Sequence, residues 1–312
     1  MKKKEISIGN EVFPIDGYGF GLSQKLVAAY RSACDSHHLI SENWPQSSLS
    51  PVTRLMRFTT VEHLREMIRT RRNFLASVFA WQDVWEGLAR NIELKDRNGN
   101  HIDISRITTS FYGQCWSLSE FDSELLWNAR CSKMAQNGVC IRSTFGKLAS
   151  SFIEGIGIVA LKTNLIARLG AVQYLSDEQF EDKIQSLCSS TFDSAAMNLA
   201  GKELLECLMV KRKRFSDEKE VRLIVDYVGV CGKTPDYLAT GKFSPALKGL
   251  TYSIEPACFL DEIIVDPRIS KSKADEIING LNSDLKVFGW TNCSVRQSDL
   301  YDCKSAPITI DI

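Results

Sequence analysis

The chain has 312 residues, which is enough to bury a sizeable core in one large or two modest domains. Its 38 Lys and Arg residues balance its 38 Asp and Glu residues, so no global charge attracts it to nucleic acid or membrane. The ten cysteines are isolated and form no C-x-x-C pair, which argues against a bound metal. The sequence also shows no signal peptide and no apolar run of about 18 residues. We therefore expect a cytoplasmic protein with reduced thiols and no membrane contact.

Residues 1–50 are predicted to form an N-terminal helical extension. A helical pattern runs from Ser23 to Cys34, with Ser23 in the N-cap position. A Ser/Pro-rich linker follows over 45–51. We therefore expect one compact domain over residues 51–312.

From residue 51 onward strands and helices interleave without a regular βαβ period. A strand over 53–58 precedes a helix over 61–70 that Thr60 caps, and a hairpin tip is expected at 95–100. Further strands are predicted over 112–118, 138–143, 155–160, 171–175, 217–225, 250–254, 263–265, 287–290 and 293–297. Further helices are predicted over 119–134, 177–208 and 270–281. This order predicts an α+β fold with mixed, mostly antiparallel sheets and flanking helices.

The stretch 211–225 joins a basic run, Lys211–Arg214, to an apolar strand. Because side chains alternate along a strand, Glu218, Glu220 and Arg222 are expected on one face and Lys219 on the other. Two carboxylates and a guanidinium beside an apolar strand are costly unless they are paired or used. A structural ion pair with a solvated basic loop explains the same pattern.

Three other segments carry side chains suited to ligand binding. Arg57 lies within an apolar strand, where it needs either a partner or an anionic ligand. Trp81, Asp83 and Glu86 form a segment that suits a sugar-binding or stacking surface, or a loop pinned by buried aromatic rings. Ser117 follows Cys-Trp and lacks a nucleophile elbow, so a hydroxyl that positions a ligand fits it best.

The order of these motifs resembles a widespread bacterial family known only as a domain of unknown function. The resemblance covers roughly residues 52–303. It rests on Arg57-Phe58, Trp81, Asp83, Glu86, Cys115-Trp116-Ser117, Trp127, Gly138-Val139, Lys211, Phe215, Glu218, Glu220, Arg222 and Pro267.

More distantly, the first strand–helix unit and the late Glu strand resemble those of DarT-type ADP-ribosyltransferases, which modify nucleic acid. That superfamily builds its split NAD-binding fold around an Arg or His on an early strand, a hydroxyl residue on a middle strand and a Glu on a late strand. Arg57, Ser117 and Glu220 occupy these places in order, although Cys-Trp-Ser replaces the Ser-Thr-Ser of the arginine-specific transferases. The resemblance implies an ADP-ribosyltransferase-like split sandwich over 51–312, with NAD as a substrate.

The resemblance also implies roles for individual residues. The catalytic residues would be Glu220, Glu218 and Ser117. The NAD-binding residues would be Arg57, Trp81, Asp83, Trp127 and Arg222. Lys211, Arg212, Lys213 and Arg214 would steer a nucleic-acid acceptor by contacts with phosphates.

The function expected on this basis is NAD-dependent modification of a nucleic acid or protein by a toxin or antiviral-defence effector. Such an effector implies an antitoxin or another regulatory protein as a partner. One alternative is a metal-dependent nuclease, in which Asp83, Glu86, Glu218 and Lys219 gather around Mg²⁺. Another is a non-enzymatic sensor or interaction module that keeps the charged strand as a ligand clamp or ion-pair network.

Overall fold

The computed structural model describes residues 4–8, 11–15, 49–78, 81, 94–95, 99, 101–102, 111–131, 137–162, 166–193, 206–226, 249–255, 259–290 and 292–302. Strands β1 (Lys4–Ile8) and β2 (Glu11–Ile15) form an antiparallel hairpin within the first 50 residues. The helix predicted over 23–34 lies outside the described residues. The hairpin predicted around residues 95–100 is confirmed, because β5 (Leu94–Lys95) and β6 (His101–Ile102) pair in antiparallel fashion.

A nine-stranded sheet forms the centre of the domain. Its strands are β3 (Arg54–Thr60), β4 (Arg72–Ser77), β7 (Phe111–Leu118), β8 (Gly138–Thr144), β9 (Ile166–Ala171), β12 (Glu220–Asp226), β13 (Gly249–Ser253), β14 (Glu262–Val265) and β15 (Ser294–Gln297). Within this sheet β14 and β15 pair in parallel, and the other described pairs are antiparallel. The predicted α+β class with a mixed, mostly antiparallel sheet is therefore confirmed.

The sheet splits at β7. Strand β12 follows one edge of β7 over positions 111–117. On the other edge β4 pairs with positions 112–113, whereas β3 pairs with positions 117–118. Strands β3 and β4 consequently diverge and leave a fork between them, in agreement with the predicted split architecture.

Five helices flank the sheet in the described part of the chain. They are α1 (Val61–Thr70), α2 (Glu124–Cys131), α3 (Phe145–Lys162), α4 (Asp177–Asp193) and α5 (Lys271–Phe288). Helix α1 begins as predicted, because the Thr60 side chain accepts a hydrogen bond from the His63 amide at 3.2 Å. None of the described helices is both long and apolar enough to span a bilayer.

Two of the predicted strands are wrong. Residues 155–160 belong to α3, and residues 287–288 are the last residues of α5, which ends at Gly289 with φ of 79°. A short apolar run cannot distinguish a buried helix from a strand by periodicity alone. Gly155 also lets α3 lie close to β13, since a Cβ atom at this position would stand 2.1 Å from the Ser253 carbonyl oxygen.

Two further strands and a short helix support the end of the sheet near Glu220. Strands β10 (Gln173–Leu175) and β11 (Val210–Arg212) pair in parallel, and a 3-10 helix over Lys213–Glu218 follows β11.

The main core lies on one face of the sheet, between the strands and α1, α3 and α5. Its members include Leu55, Trp116, Val221 and Leu223. Because side chains alternate along a strand, the neighbours of these residues on β7 and β12 lie on the opposite face. That opposite face carries Ser117, Glu220 and Arg222 of the predicted site.

Candidate active site

Glu220 is the first residue of β12, and cations surround its carboxylate. Its Oε2 atom accepts hydrogen bonds from Arg222 Nε at 2.9 Å and Arg222 Nη2 at 2.6 Å. Its Oε1 atom accepts from Lys211 Nζ at 3.4 Å and also from Arg130 Nη2. Glu220 and Arg222 expose only 1% and 0% of their side chains, so this ion pair is removed from water.

Glu218 reaches two of the same cations, Arg130 and Lys211, from the 3-10 helix. The prediction that Glu218 and Lys219 lie on opposite faces of a strand is wrong, because β12 begins at Glu220 and Lys219 adopts a left-handed conformation with φ of 43°. This turn brings Glu218 Oε2 within 2.5 Å of Arg130 Nη2 and 3.0 Å of Lys211 Nζ. The two carboxylates therefore share Arg130 and Lys211 at the start of one strand, and Glu220 also pairs with Arg222.

The two carboxyl groups have pKa values displaced in opposite directions. Burial opposes ionisation of Glu220, but Arg222, Arg130 and Lys211 outweigh it and hold the pKa of Glu220 well below its usual value. Burial raises the pKa of Glu218, and a hydrogen bond to Glu220 adds to this effect, against the opposing charge of Arg130. A pair separated in this way has one group suited to remain ionised and another suited to exchange a proton.

Arg130 and Tyr174 complete the cluster, and sequence reasoning missed both. Burial would lower the pKa of Arg130, but Glu220 and Glu218 raise it overall, so its guanidinium stays charged. The Tyr174 hydroxyl accepts a hydrogen bond from the Glu220 amide at 2.8 Å, and burial raises its pKa to about 12. The one feature of the sequence that could have indicated Arg130 was its position in the predicted helix, three residues after Trp127 and hence on a neighbouring part of the helix surface.

Ser117 and Glu220 face each other across the β7–β12 pair. Ser117 also stands opposite Met56 of β3 on its other side, and it is almost fully buried. The structure therefore brings two of the three predicted motif residues into adjoining positions.

Arg57 occupies the fork between β3 and β4 and not the face that carries Ser117. Met56, its neighbour, is the residue in register with Ser117. The Arg57 guanidinium donates from Nη1 to Asn73 Oδ1 at 2.9 Å and to Gln114 Oε1 at 2.6 Å. These acceptors are neutral, and burial lowers the pKa of Arg57.

The predicted aromatic residues differ in position. The Trp81 ring lies against the buried end of the cluster, with the Arg222 guanidinium carbon 5.0 Å from the ring centroid. Trp127 is instead a core residue: it is fully buried, donates to Asp122 Oδ2 at 2.8 Å and packs edge-on against Phe58. Asp83 and Glu86 lie outside the described residues.

The basic run 211–214 does not form one surface. Lys211 points into the carboxylate cluster, and the guanidinium of Arg212 lies 5.4 Å from the Phe215 ring centroid. Lys213 and Arg214 are exposed, and Arg214 pairs with Asp177. Only the second half of the run is thus open to an acceptor.

The chain has similarity to three solved structures of Thermus sp. 2.9 DarT. The complex with NAD+ matches at 9% identity and a TM-score of 0.31, over 80% of this chain and 97% of that one. The complex with ADP-ribosylated ssDNA matches at 10% identity and a TM-score of 0.33, over 82% and 98%. The complex with carba-NAD+ matches at 9% identity and a TM-score of 0.30, over 80% and 97%.

No curated protein matches the chain. A family model does match part of it, over a segment that includes Arg130, Lys211, Glu218, Glu220 and Arg222. The predicted resemblance to a family of unknown function is thereby confirmed: residues 126–223 match the family described as "Protein of unknown function (DUF2971)".

Proposed function

We propose that this protein is an ADP-ribosyltransferase-like enzyme that cleaves NAD at the bond between nicotinamide and ribose and transfers ADP-ribose to an acceptor. The observation that carries the proposal is the carboxylate pair at the start of β12, in which Glu220 is held ionised and Glu218 has a raised pKa. Ser117 lies directly across from Glu220 on β7.

This pair suits the chemistry of the reaction. Cleavage of the C1′–N bond leaves the bonding electrons on nicotinamide and develops positive charge on the ribose, as in glycoside hydrolysis. A fixed anion such as Glu220 stabilises that charge and accepts a hydrogen bond from a ribose hydroxyl. As the acceptor oxygen or nitrogen forms its bond to C1′, Glu218 takes up the proton that the acceptor loses.

The other predicted residues divide between direct contact and support. Arg57 has neutral acceptors and retains its positive charge, so it would hold a phosphate or ribose edge of NAD. Ser117 would position the ribose. Arg222 is fully buried between Glu220 and Trp81. Arg222 and Trp81 would therefore act by holding Glu220 in position.

Nucleic acid is the acceptor we favour, because Lys213 and Lys219, which precede and follow Glu218 in the sequence, are exposed cations. An activity of this kind would suit a toxin or antiviral-defence effector in the cytoplasm, restrained by an antitoxin or regulatory protein.

The nuclease alternative is disfavoured by the same cations. A divalent metal at Glu218 and Glu220 would have to displace Arg130 and Lys211, and Arg222 would remain beside it. The following experiment distinguishes an enzyme from the other alternative, a purely structural ion-pair network.

The test is incubation of the wild-type protein with NAD labelled in its adenylate and with single-stranded DNA, RNA or protein. We expect labelled acceptor and released nicotinamide from wild-type protein, and a large loss of both in Glu218→Gln and Ser117→Ala at unchanged melting temperature. Glu66→Gln is the matched control, because Glu66 forms an exposed ion pair with Arg69 on α1. Absence of cleavage by wild-type protein, together with no rise in its melting temperature on adding NAD, would refute the proposal.

A further inference from the structure

The Glu220 carboxylate is saturated with hydrogen bonds in this structure. Arg222 donates twice to Oε2, while Lys211 and Arg130 both donate to Oε1. A carboxylate has about four acceptor positions. For a new hydroxyl donor to bind Glu220, one of these donors must therefore leave.

The three cations differ in how readily they could leave. Arg222 exposes 0% of its side chain and also donates to the Leu208 carbonyl at 2.7 Å. Lys211 exposes 6% and lies 4.8 Å from the Phe215 ring centroid. Arg130 exposes 27% of its side chain, and it enters the cluster from a separate element, α2. Arg130 is thus the donor that borders solvent.

We propose that Arg130 is a latch on the carboxylate pair, which a phosphate-bearing ligand opens by drawing the guanidinium away from Glu218 and Glu220. This inference rests on the proposed function, because it describes what must happen before Glu220 can bind a ribose hydroxyl. It makes Arg130 a specificity-determining residue. The two carboxylates become available to substrate only when a phosphate accepts the hydrogen bonds that Arg130 otherwise donates to them.

The exchange is chemically balanced. Arg130 Nη2 gives up hydrogen bonds to Glu218 Oε2 and Glu220 Oε1, and the guanidinium donates to two phosphate oxygens instead. Arg130 reaches both carboxylates through Nη2 alone, and a phosphate bound bidentately takes two guanidinium N–H groups, so a phosphate that takes Nη2 competes with the two carboxylates for this donor. Lys211 and Arg222 stay in place and keep Glu220 ionised after the latch opens.

The ionisation of Glu218 reports the position of Arg130. Glu218 faces Arg130, Lys211 and Glu220, and the charge of Arg130 lowers the pKa of Glu218 against the effect of burial. Removal of Arg130 from the pair should consequently raise the pKa of Glu218. This can be measured in the whole protein by the pH titration of ¹³C-labelled Glu carboxyl signals, with Glu218→Gln to assign the signal.

The experiment adds NAD alone or a short oligothymidylate alone to the wild-type protein. We expect at least one of these ligands to raise the pKa of Glu218. In Arg130→Gln the pKa should already be raised and should not change on adding ligand, whereas Arg69→Gln on α1 should behave as wild type. Arg130→Lys keeps the positive charge but cannot bind a phosphate in bidentate fashion, so we expect a weaker pKa response from it. Melting temperatures check that each variant is folded.

Each outcome distinguishes the latch from the proposed function. A pKa response to NAD identifies the NAD phosphates as the group that opens the latch. A pKa response to oligothymidylate alone identifies the phosphates of the nucleic-acid acceptor as that group. No response to either ligand, or an equal response in Arg130→Gln, would overturn the latch. Cleavage of labelled NAD is followed separately, with single-stranded DNA, RNA or protein present as the acceptor. A pKa response without cleavage refutes the proposed function and leaves the latch, whereas cleavage without a pKa response refutes the latch and leaves the proposed function.

Discussion

Replacement of Glu220 by Gln should destabilise the fold strongly, because it removes the carboxylate that accepts two hydrogen bonds from the fully buried Arg222 guanidinium. Gln keeps one acceptor oxygen but places an amide donor among the donors of Arg222, Arg130 and Lys211. Arg222 would then carry its charge in the protein interior without the carboxylate that pairs with it here. The cost comes from the cation left behind more than from the hydrogen bonds lost.

The magnitude follows from the burial of the pair. Glu220 and Arg222 expose 1% and 0% of their side chains, and loss of one partner from such a pair costs about 3–5 kcal/mol. Unfolding of a whole domain costs only about 5–15 kcal/mol, so this loss would remove a large share of the stability. At roughly 2–4 °C per kcal/mol the melting temperature should drop by roughly 6–20 °C. Glu66→Gln, which breaks an exposed pair, should cost less than about 1 kcal/mol.

The same ion pair fixes the sign of the pH dependence. The pKa of Glu220 is lowered from its ordinary 4.5, so its stabilisation is present above that pH and is lost as the pH falls toward the lowered value. Urea unfolding between pH 7 and pH 3 should show this loss in the wild type and a weaker one in Glu220→Gln. A Glu220→Gln protein that unfolds within about 1 kcal/mol of wild type at pH 7 would show that the pair is not desolvated, and the account of the site would fail.

Three other substitutions test separate parts of the structure. Glu218→Gln should be no less stable than wild type at pH 7, because a raised pKa means that the folded state disfavours the charged form; a loss above about 1 kcal/mol in urea unfolding would contradict this. Tyr252→Phe should cost about 1–3 kcal/mol, since the hydroxyl accepts from two buried amide groups at 2.7 and 3.3 Å, and stability equal to wild type would show that the amides find other partners. Gly155→Ala should destabilise the protein by about 1–3 kcal/mol, because the new Cβ would meet the rigid Ser253 carbonyl. In Gly280→Ala the nearest atom is the end of the flexible Arg65 side chain, so this change should be close to neutral. Equal melting temperatures for the two variants would contradict the close approach of α3 to β13.

Local patterns predicted the parts of the fold that local chemistry controls. Helix α1 follows from its Thr60 cap and from apolar residues spaced three and four apart, and β7, β8 and β14 follow from short β-rich runs. The strand prediction over 155–160 is wrong because this part of α3 has no polar side chain, and an apolar run alone does not set a period. Local patterns alone do not predict the fork between β3 and β4, because it depends on which part of one edge of β7 each strand reaches.

The candidate site shows the same division. Glu220 and Arg222 were predicted as partners because two residues on one strand share a face, and the structure pairs them at 2.6 Å. Arg130 was missed because its place in the site depends on how α2 packs and not on a motif. Trp127 was predicted as a stacking ring, but a tryptophan of an amphipathic helix is equally suited to the core, where it packs against Phe58.

The turn at Lys219 explains why the two carboxylates can have different roles. On a continuous strand Glu218 and Glu220 would share one face and similar burial. The left-handed turn at Lys219 instead leaves Glu218 on the 3-10 helix, with 19% of its side chain exposed against 1% for Glu220. The group with the raised pKa is therefore also the one that an acceptor from solvent can reach, while the ionised group is fixed in the strand. A network that served only stability would gain nothing from a partly exposed member with a raised pKa, and this asymmetry favours a site that transfers a proton.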